Sequence, residues 1–351
     1  MRTVISGIGM YVPDTVVDNH DLARIMETSD EWIRERTGII ERRFVDAGVP
    51  TSEIGAKAAQ AALEDAGVAP SEVDYVIFAT MTPDMYFPGS APFLQRQMGL
   101  ERVPCLDIRQ QCAGFIYGLQ LGDALIRSGV HRRILLVGAE VHSCFMPWRS
   151  WDVLLGKSDA PVPEEEWQRN TATRDRTVLF GDGAGAVLLS AEENGDRGVI
   201  DILVRTEGNH AERLCTWSGG SRWRPYVDEE MIATGAVTPM VEGREVYRLA
   251  VRHMPEVTIE ILDRHGLEVG DIDLLIMHQA NLRINEGVQK RLRLPDERVF
   301  NNIQRYGNTT AGTIPIALYE ARQQGRLHTG DLVCLVGLGS GLNWGSVLYR
   351  Y

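Results

Sequence analysis

Cys112 lies in Asp107-Ile-Arg-Gln-Gln-Cys-Ala-Gly-Phe-Ile-Tyr-Gly-Leu-Gln120, where a short apolar run passes through a polar turn into an amphipathic stretch. The pattern predicts a helix beginning just after the cysteine, so the thiol stands at a helix N-terminus. Aligned peptide dipoles there favour the thiolate over the thiol, and free backbone N–H groups can hold a developing oxyanion. Cys105, Cys144, Cys215 and Cys334 have no such placement and read as structural residues, the usual fate of a free cysteine. His278 closes the apolar run Asp273-Leu-Leu-Ile-Met-His278, which puts its imidazole at the carboxyl edge of a sheet, where open α/β folds collect their active sites. Asn308 sits in Tyr306-Gly-Asn-Thr-Thr-Ala-Gly312, a polar loop at the start of another helix. Together they supply a nucleophile, a proton manager or oxyanion donor, and a second donor.

These residues must be positioned by an α/β scaffold. Short β-branched runs ending in Gly or a polar residue alternate with amphipathic stretches: Asp74-Tyr-Val-Ile-Phe-Ala79, Arg133-Ile-Leu-Leu-Val-Gly138, the run ending at His278, and Asp331-Leu-Val-Cys-Leu-Val-Gly337. Their order repeats. A helical stretch from Ser52 leads through Gly67 to the Asp74 run, and one from Pro255 leads through Gly266 to the Asp273 run. Asp74 to Cys112 spans 38 residues and Asp273 to Asn308 spans 35, so the cysteine and asparagine loops occupy corresponding places in a duplicated unit. We expect an N-terminal half over 1–190 and a C-terminal half over 191–351.

Residues 143–176, with Pro147, Pro161, Pro163 and Glu164-Glu-Glu166, read as a loop-rich insertion. Trp148, Trp151, Trp167, Trp217 and Trp223 fall in or after it and either wall an apolar pocket or cap the core. The glycine-rich Phe180-Gly-Asp-Gly-Ala-Gly-Ala-Val187 and Gly337 to Gly345 are each followed by a strand-like run, so they indicate close backbone approach rather than a dinucleotide site.

Composition narrows the function classes. With 44% hydrophobic and 24% charged residues, the 351-residue chain is of ordinary globular type. A net charge of -12 argues against nucleic acid, whose phosphates require an excess of Lys and Arg. No CxxC pair is present for zinc or redox work. No long uncharged apolar run or leader-like N-terminus is evident, so a soluble, cytoplasmic protein without a membrane role is expected.

Taken together, these residues resemble the β-ketoacyl-acyl carrier protein synthase III group of the thiolase superfamily over nearly the whole chain. The resemblance is carried by Thr28-Ser-Asp-Glu-Trp-Ile-Arg-Glu-Arg-Thr-Gly38, Thr82-Pro-Asp84 with Phe87-Pro88, Cys112-Ala-Gly-Phe115, Phe180-Gly-Asp-Gly-Ala-Gly185, His278-Gln-Ala-Asn281, Tyr306-Gly-Asn-Thr309 and Gly339-Ser-Gly-Leu-Asn-Trp-Gly345. It implies a five-layered αβαβα fold of two duplicated halves and a homodimer. It also implies a cycle in which acyl-CoA acylates Cys112 before a malonyl thioester docks, loses CO2 and attacks. His278 and Asn308 would stabilise the enolate, and the backbone N–H groups of Cys112 and Ser340 the oxyanion. Trp32 and Arg176 would sandwich the adenine of CoA, with Gly243 near the pantetheine. Arg248, Arg283 and Lys290 would meet an acidic acyl carrier protein, and Phe87 would reach across the dimer into the partner's acyl pocket. CoA thioesters are substrates in this scheme, with no permanently bound cofactor and no metal.

Some positions depart from the family pattern. Arg109-Gln-Gln111 stands where small residues are usual, Met277 where a proline usually precedes the histidine, and Ser340 in place of a glycine. The 143–176 segment is also long. The triad is intact, so these changes bear on the substrate: fatty-acid initiation or a specialised polyketide-type pathway. Acyl transfer to an alcohol or amine, head-to-head condensation without decarboxylation, and a non-catalytic partner subunit are alternatives at this level.

Overall fold

A computed structural model describes residues 1–193 and 195–351. The first half contributes β1 (Arg2–Tyr11), α1 (Asp30–Thr37), α2 (Thr51–Ala66), β2 (Tyr75–Ala79), α3 (Ala91–Gln97), β3 (Cys105–Ile108), α4 (Gly114–Arg127), β4 (Arg133–Glu140), α5 (Glu164–Thr177) and β5 (Gly183–Glu192). The second contributes β6 (Gly198–Thr206), α6 (Gly243–Asp263), β7 (Leu274–Met277), α7 (Leu282–Leu292), β8 (Val299–Phe300), α8 (Thr313–Gln323), β9 (Leu332–Gly339) and β10 (Asn343–Arg350).

The strands form two five-stranded sheets, ordered β1-β5-β4-β2-β3 and β6-β10-β9-β7-β8. In both, the first three strands pair antiparallel and the last three parallel. The duplication read from sequence is therefore one topology used twice. Alternation along each strand sends side chains to two buried faces. Ile77, Leu136 and Leu189 of the first sheet and Ile276, Leu335 and Val347 of the second face a middle layer made of Phe115, Ile116 and Leu119 of α4 and Ile314, Ala317 and Leu318 of α8. The opposite face of the first sheet is covered by α2 and α3, and that of the second by α6 and α7. The result is five layers, helices and sheets in turn.

Glycine makes the middle layer possible. A Cβ on Gly138 of β4 would lie 2.2 Å from the carbonyl oxygen of Ala311, and one on Gly185 of β5 would lie 2.8 Å from the nitrogen of Ile316. Both contacts are backbone, so only glycine lets the start of α8 seat against these strands. At Gly185 this is the close approach anticipated for the glycine-rich run Phe180–Val187.

Residues 143–176 correct the expectation of a loop-rich insertion. Half of it is α-helical, with Trp151–Leu154 and the 14-residue α5 that runs on to Thr177. The acidic run Glu164-Glu-Glu166 forms the first turn of α5 and Arg174 and Arg176 its last, the charge order that complements the helix dipole. Glu166 accepts hydrogen bonds from the nitrogens of Arg149 and Ser150, tying the segment to the helix start. Trp148 and Trp151 pack edge-on against Phe44 in a satellite core with Ile25 and Met26. Trp148 and Trp151 cap a core, and none of the five lines the cavity that holds Cys112.

Candidate active site

The residues that follow the carboxyl ends of the central parallel strands converge on one cavity of about 390 Å³. Met81 comes from the end of β2, Arg109 and Cys112 from β3, His278 from β7, Asn308 from the loop after β8, and Ser340 from β9. Two corresponding turns carry the central groups. Gln111–Ala113 precedes α4 and Thr310–Gly312 precedes α8, and Gln111 and Thr310 each take the left-handed conformation, with φ of 45° and 46°. Neither is glycine, so each costs roughly 1–3 kcal/mol, a strain of the kind that clusters at functional sites. The match aligns Cys112 with Ala311, which places Asn308 three residues before the cysteine's counterpart.

Cys112 is 7% exposed at the mouth of α4, as its sequence context predicts. The protonation state differs from expectation. Burial pushes its thiol up to about 12, with the charge of Glu140 acting in the same direction. In this dry site desolvation outweighs the pull of the helix end, and the resting group is a thiol. β9 closes against it: a Cβ on Gly339 would stand 2.8 Å from the nitrogen of Cys112 and 3.0 Å from that of Ala113.

His278 is buried, and desolvation holds its imidazole down to about 3, with His142 adding to the effect, so it is neutral. Its Nδ1 lies 2.7 Å from the Thr313 hydroxyl, while Nε2 is buried without a partner and borders the cavity. The Thr313 oxygen is also 3.0 Å from the Thr310 carbonyl. A hydroxyl has one proton to give. Donated to Thr310, it leaves Nδ1–H and a bare Nε2; donated to Nδ1, it leaves Nε2–H facing the cavity. Asn308 is less ambiguous. Its Oδ1 accepts from the Thr310 nitrogen at 2.8 Å, which turns the Nδ2 amide donor to the cavity.

Thr313 and Glu140 escaped sequence reasoning. Glu140 ends a strand that is apolar from Ile134 to Ala139, and that lone carboxylate was the available signal. It accepts from the hydroxyls of Thr80 and Thr82 and the nitrogens of Met81 and Thr82, fixing the loop from which Met81 reaches the cavity. Burial pushes its carboxyl up to about 7 against those hydrogen bonds.

Trp32, Gly243 and Ser340 line the cavity as expected; Arg176 does not. The guanidinium over the Trp32 ring belongs to Arg174, at 4.9 Å, with Arg36 at 4.5 Å. Arg176 turns instead to Asp175 at 3.0 Å. Two residues along a helix rotate the side chain by about 200°, so only one of the pair can face α1. Arg283 is also not free: it donates to the carbonyls of Glu35 and Arg34 and pairs with Glu286, strapping α7 to the end of α1. Arg248 pairs with Glu245 on an exposed face, and Lys290 is exposed. Phe87 is 81% exposed beside Tyr86 and lies outside the cavity of its own chain.

Comparison with known proteins follows this geometry. The family model described as 3-oxoacyl-[acyl-carrier-protein (ACP)] synthase III matches residues 106–160 and 166–208, and the model of the C-terminal part of the same enzymes matches residues 262–351. The chain is 40% identical over 351 residues to the β-ketoacyl-[acyl-carrier-protein] synthase III 1 of Bacillus cereus, covering 100% of this chain and 99% of that one. The crystal structure of 3-oxoacyl-[acyl-carrier-protein] synthase III from Aquifex aeolicus superposes with a TM-score of 0.84 at 38% identity, covering 99% of this chain and 100% of that one. The priming β-ketosynthase of the R1128 polyketide biosynthetic pathway gives a TM-score of 0.84 at 27% identity, covering 99% and 96%.

Proposed function

This chain belongs to the 3-oxoacyl-[acyl-carrier-protein] synthase III family, acyltransferases of thiolase-like fold, and from that premise we propose how its own residues divide the work. The reaction is a decarboxylative Claisen condensation of an acyl thioester with a malonyl thioester. In the first half-reaction the Cys112 sulfur attacks the acyl-CoA carbonyl, the acyl–S bond to CoA breaks, and the cysteine proton leaves on the CoA thiol. Proton count is unchanged, so a thiol at about 12 is no obstacle provided the proton moves as the new bond forms. The N–H groups of Cys112 and Ser340 are the donors assigned to the oxyanion.

In the second half-reaction malonyl decarboxylation leaves an enolate, which attacks the acyl–Cys112 carbonyl; one proton from solvent restores the thiol. A carbanion equivalent needs neutral donors in a dry site more than a strong base. Nε2–H of His278, in the tautomer set when Thr313 donates to Nδ1, and Nδ2 of Asn308 fill that role. The observation that carries this division is that an unpartnered Nε2 and a locked amide border the same cavity as the Cys112 thiol.

For CoA, the adenine slides between Trp32 and Arg174, replacing the Trp32–Arg176 pair. Arg248 and Lys290 remain the candidates for carrier-protein docking. The exposed cluster of Met85, Tyr86 and Phe87 supports the homodimer in which Phe87 enters the partner's pocket.

Intact-protein mass spectrometry tests the assignment. Wild type incubated with acyl-CoA should gain the acyl mass and lose it on addition of malonyl thioester, and Cys112→Ala should gain none. Acylation of Cys112→Ala, or an acyl-enzyme that malonyl thioesters cannot discharge, would refute it.

A further inference from the structure

Arg109 and Gln111 line the cavity that contains the Cys112 thiol, and the mechanism uses neither. Among the described residues no carboxylate lies within 4.0 Å of the Arg109 guanidinium, and neither side chain has a hydrogen-bond partner. The Arg109 guanidinium lies over the Tyr86 ring, 5.8 Å from its centroid. The other cavity cation, Arg36, sits 3.7 Å from Glu35, and the cavity's acid, Asp175, is paired with Arg176. The walls around them include Met81, Phe145, Phe180 and Leu338. Arg109 is exposed and Gln111 half-buried, so an unpaired guanidinium and an unpartnered amide border a mainly apolar cavity where they can meet an anion carried by a ligand.

We propose that the acyl group carried on Cys112 is a short ω-carboxyacyl group, its terminal carboxylate held by Arg109 with Gln111 as an added donor. This rests on the acyl–Cys112 reading above. The guanidinium fork matches a carboxylate with two parallel hydrogen bonds, which a hydroxyl or alkyl terminus cannot accept in the same way. Arg109 and Cys112 are three positions apart, so their Cα atoms are at most about 10 Å from one another, and a short acyl chain on the sulfur can bring a terminal carboxylate to the guanidinium. The malonyl carboxylate is the wrong occupant. It must be lost as CO2, and an ion pair would stabilise the ground state that has to decarboxylate.

The test compares acyl-enzyme formation, by intact mass, from succinyl-CoA and glutaryl-CoA against butyryl-CoA and pentanoyl-CoA. Wild type should favour the carboxyacyl donors by about 10-fold or more in kcat/KM. Arg109→Ala should lose about 100-fold on those donors and little on the alkyl ones, Arg109→Lys should recover part, and elution volume on size exclusion should not change. A wild-type preference for alkyl donors would overturn the proposal. So would an equal loss on both donor classes, a defect confined to the KM for malonyl thioester, or a change of oligomeric state in Arg109→Ala. No acyl-enzyme from any donor would overturn the premise itself, whereas alkyl acylation without carboxyacyl acylation would remove only the Arg109 assignment.

Discussion

Gly339→Ala puts the geometry of the thiol turn to a quantitative test. The added methyl would lie 2.8 Å from the nitrogen of Cys112 and 3.0 Å from both the nitrogen of Ala113 and the Cβ of Cys112. Ordinary contact begins near 3.4 Å, so about 0.5 Å of relief is needed. The obstructing atoms are mainly backbone of the turn that opens α4, so no flexible side-chain end can supply it. A buried overpacking of this kind costs about 1–3 kcal/mol. With an unfolding entropy of about 2 cal/mol/K per residue, roughly 0.7 kcal/mol/K for a chain this long, Tm should fall by only about 1–4 °C. Activity should fall far more. A displacement approaching 1 Å at a reacting group costs up to about 100-fold, and loss of one oxyanion donor about 100- to 1,000-fold. The expectation is a folded variant whose acylation rate, read by intact mass, drops by about 30- to 100-fold. Wild-type acylation in Gly339→Ala, or a rate loss no larger than the loss of folded protein, would refute the assignment of this turn to the oxyanion.

Three further outcomes follow from the same geometry. His278→Ala should leave acylation of Cys112 near wild type and slow discharge by malonyl thioester by about 100-fold or more, with Thr313→Val a milder version at about 10-fold; arrested acylation in His278→Ala would make the imidazole the thiol's base. Arg174→Ala should raise KM for acyl-CoA by about 10-fold with kcat little changed, and Arg176→Ala should not; the reverse result would restore the pair expected from sequence. Glu140 has a folded carboxyl raised from 4.5 to about 7, so its contribution to stability is present below pH 4.5 and lost as pH rises through about 7, a difference of about 3 kcal/mol. Glu140→Gln lowers Tm through lost hydrogen bonds but should flatten the decline between pH 5 and 8, and parallel Tm–pH curves for the two proteins would count against the shift.

Much of the site is legible in the amino-acid sequence. The runs at Cys112, His278 and Asn308 each end at a strand edge or open a helix, and such punctuation is written in a few neighbouring residues. The duplicated order of runs predicted two equivalent sheets, and the two left-handed turns at Gln111 and Thr310 show the correspondence at backbone level. The insertion was misread because prolines and an acidic run resemble a loop, while the contacts that make α5 a helix, Glu166 to Arg149 and Ser150 and buried Asn170 to the Ile25 carbonyl, come from outside it.

The sequence by itself determined which residue types could act, the α/β alternation that carries them, and the glycines required where backbones meet. These are local properties, set by periodicity and by hydrogen bonding within a few residues. Only the tertiary structure decided that Arg174 rather than Arg176 faces Trp32, that Arg283 is occupied by α1, and that His278 is neutral and Cys112 a thiol. Side-chain direction around a helix matters only against a neighbour. Desolvation is likewise imposed by whichever distant segments close over a group, here a cavity assembled from residues as far apart as Met81 and Ser340.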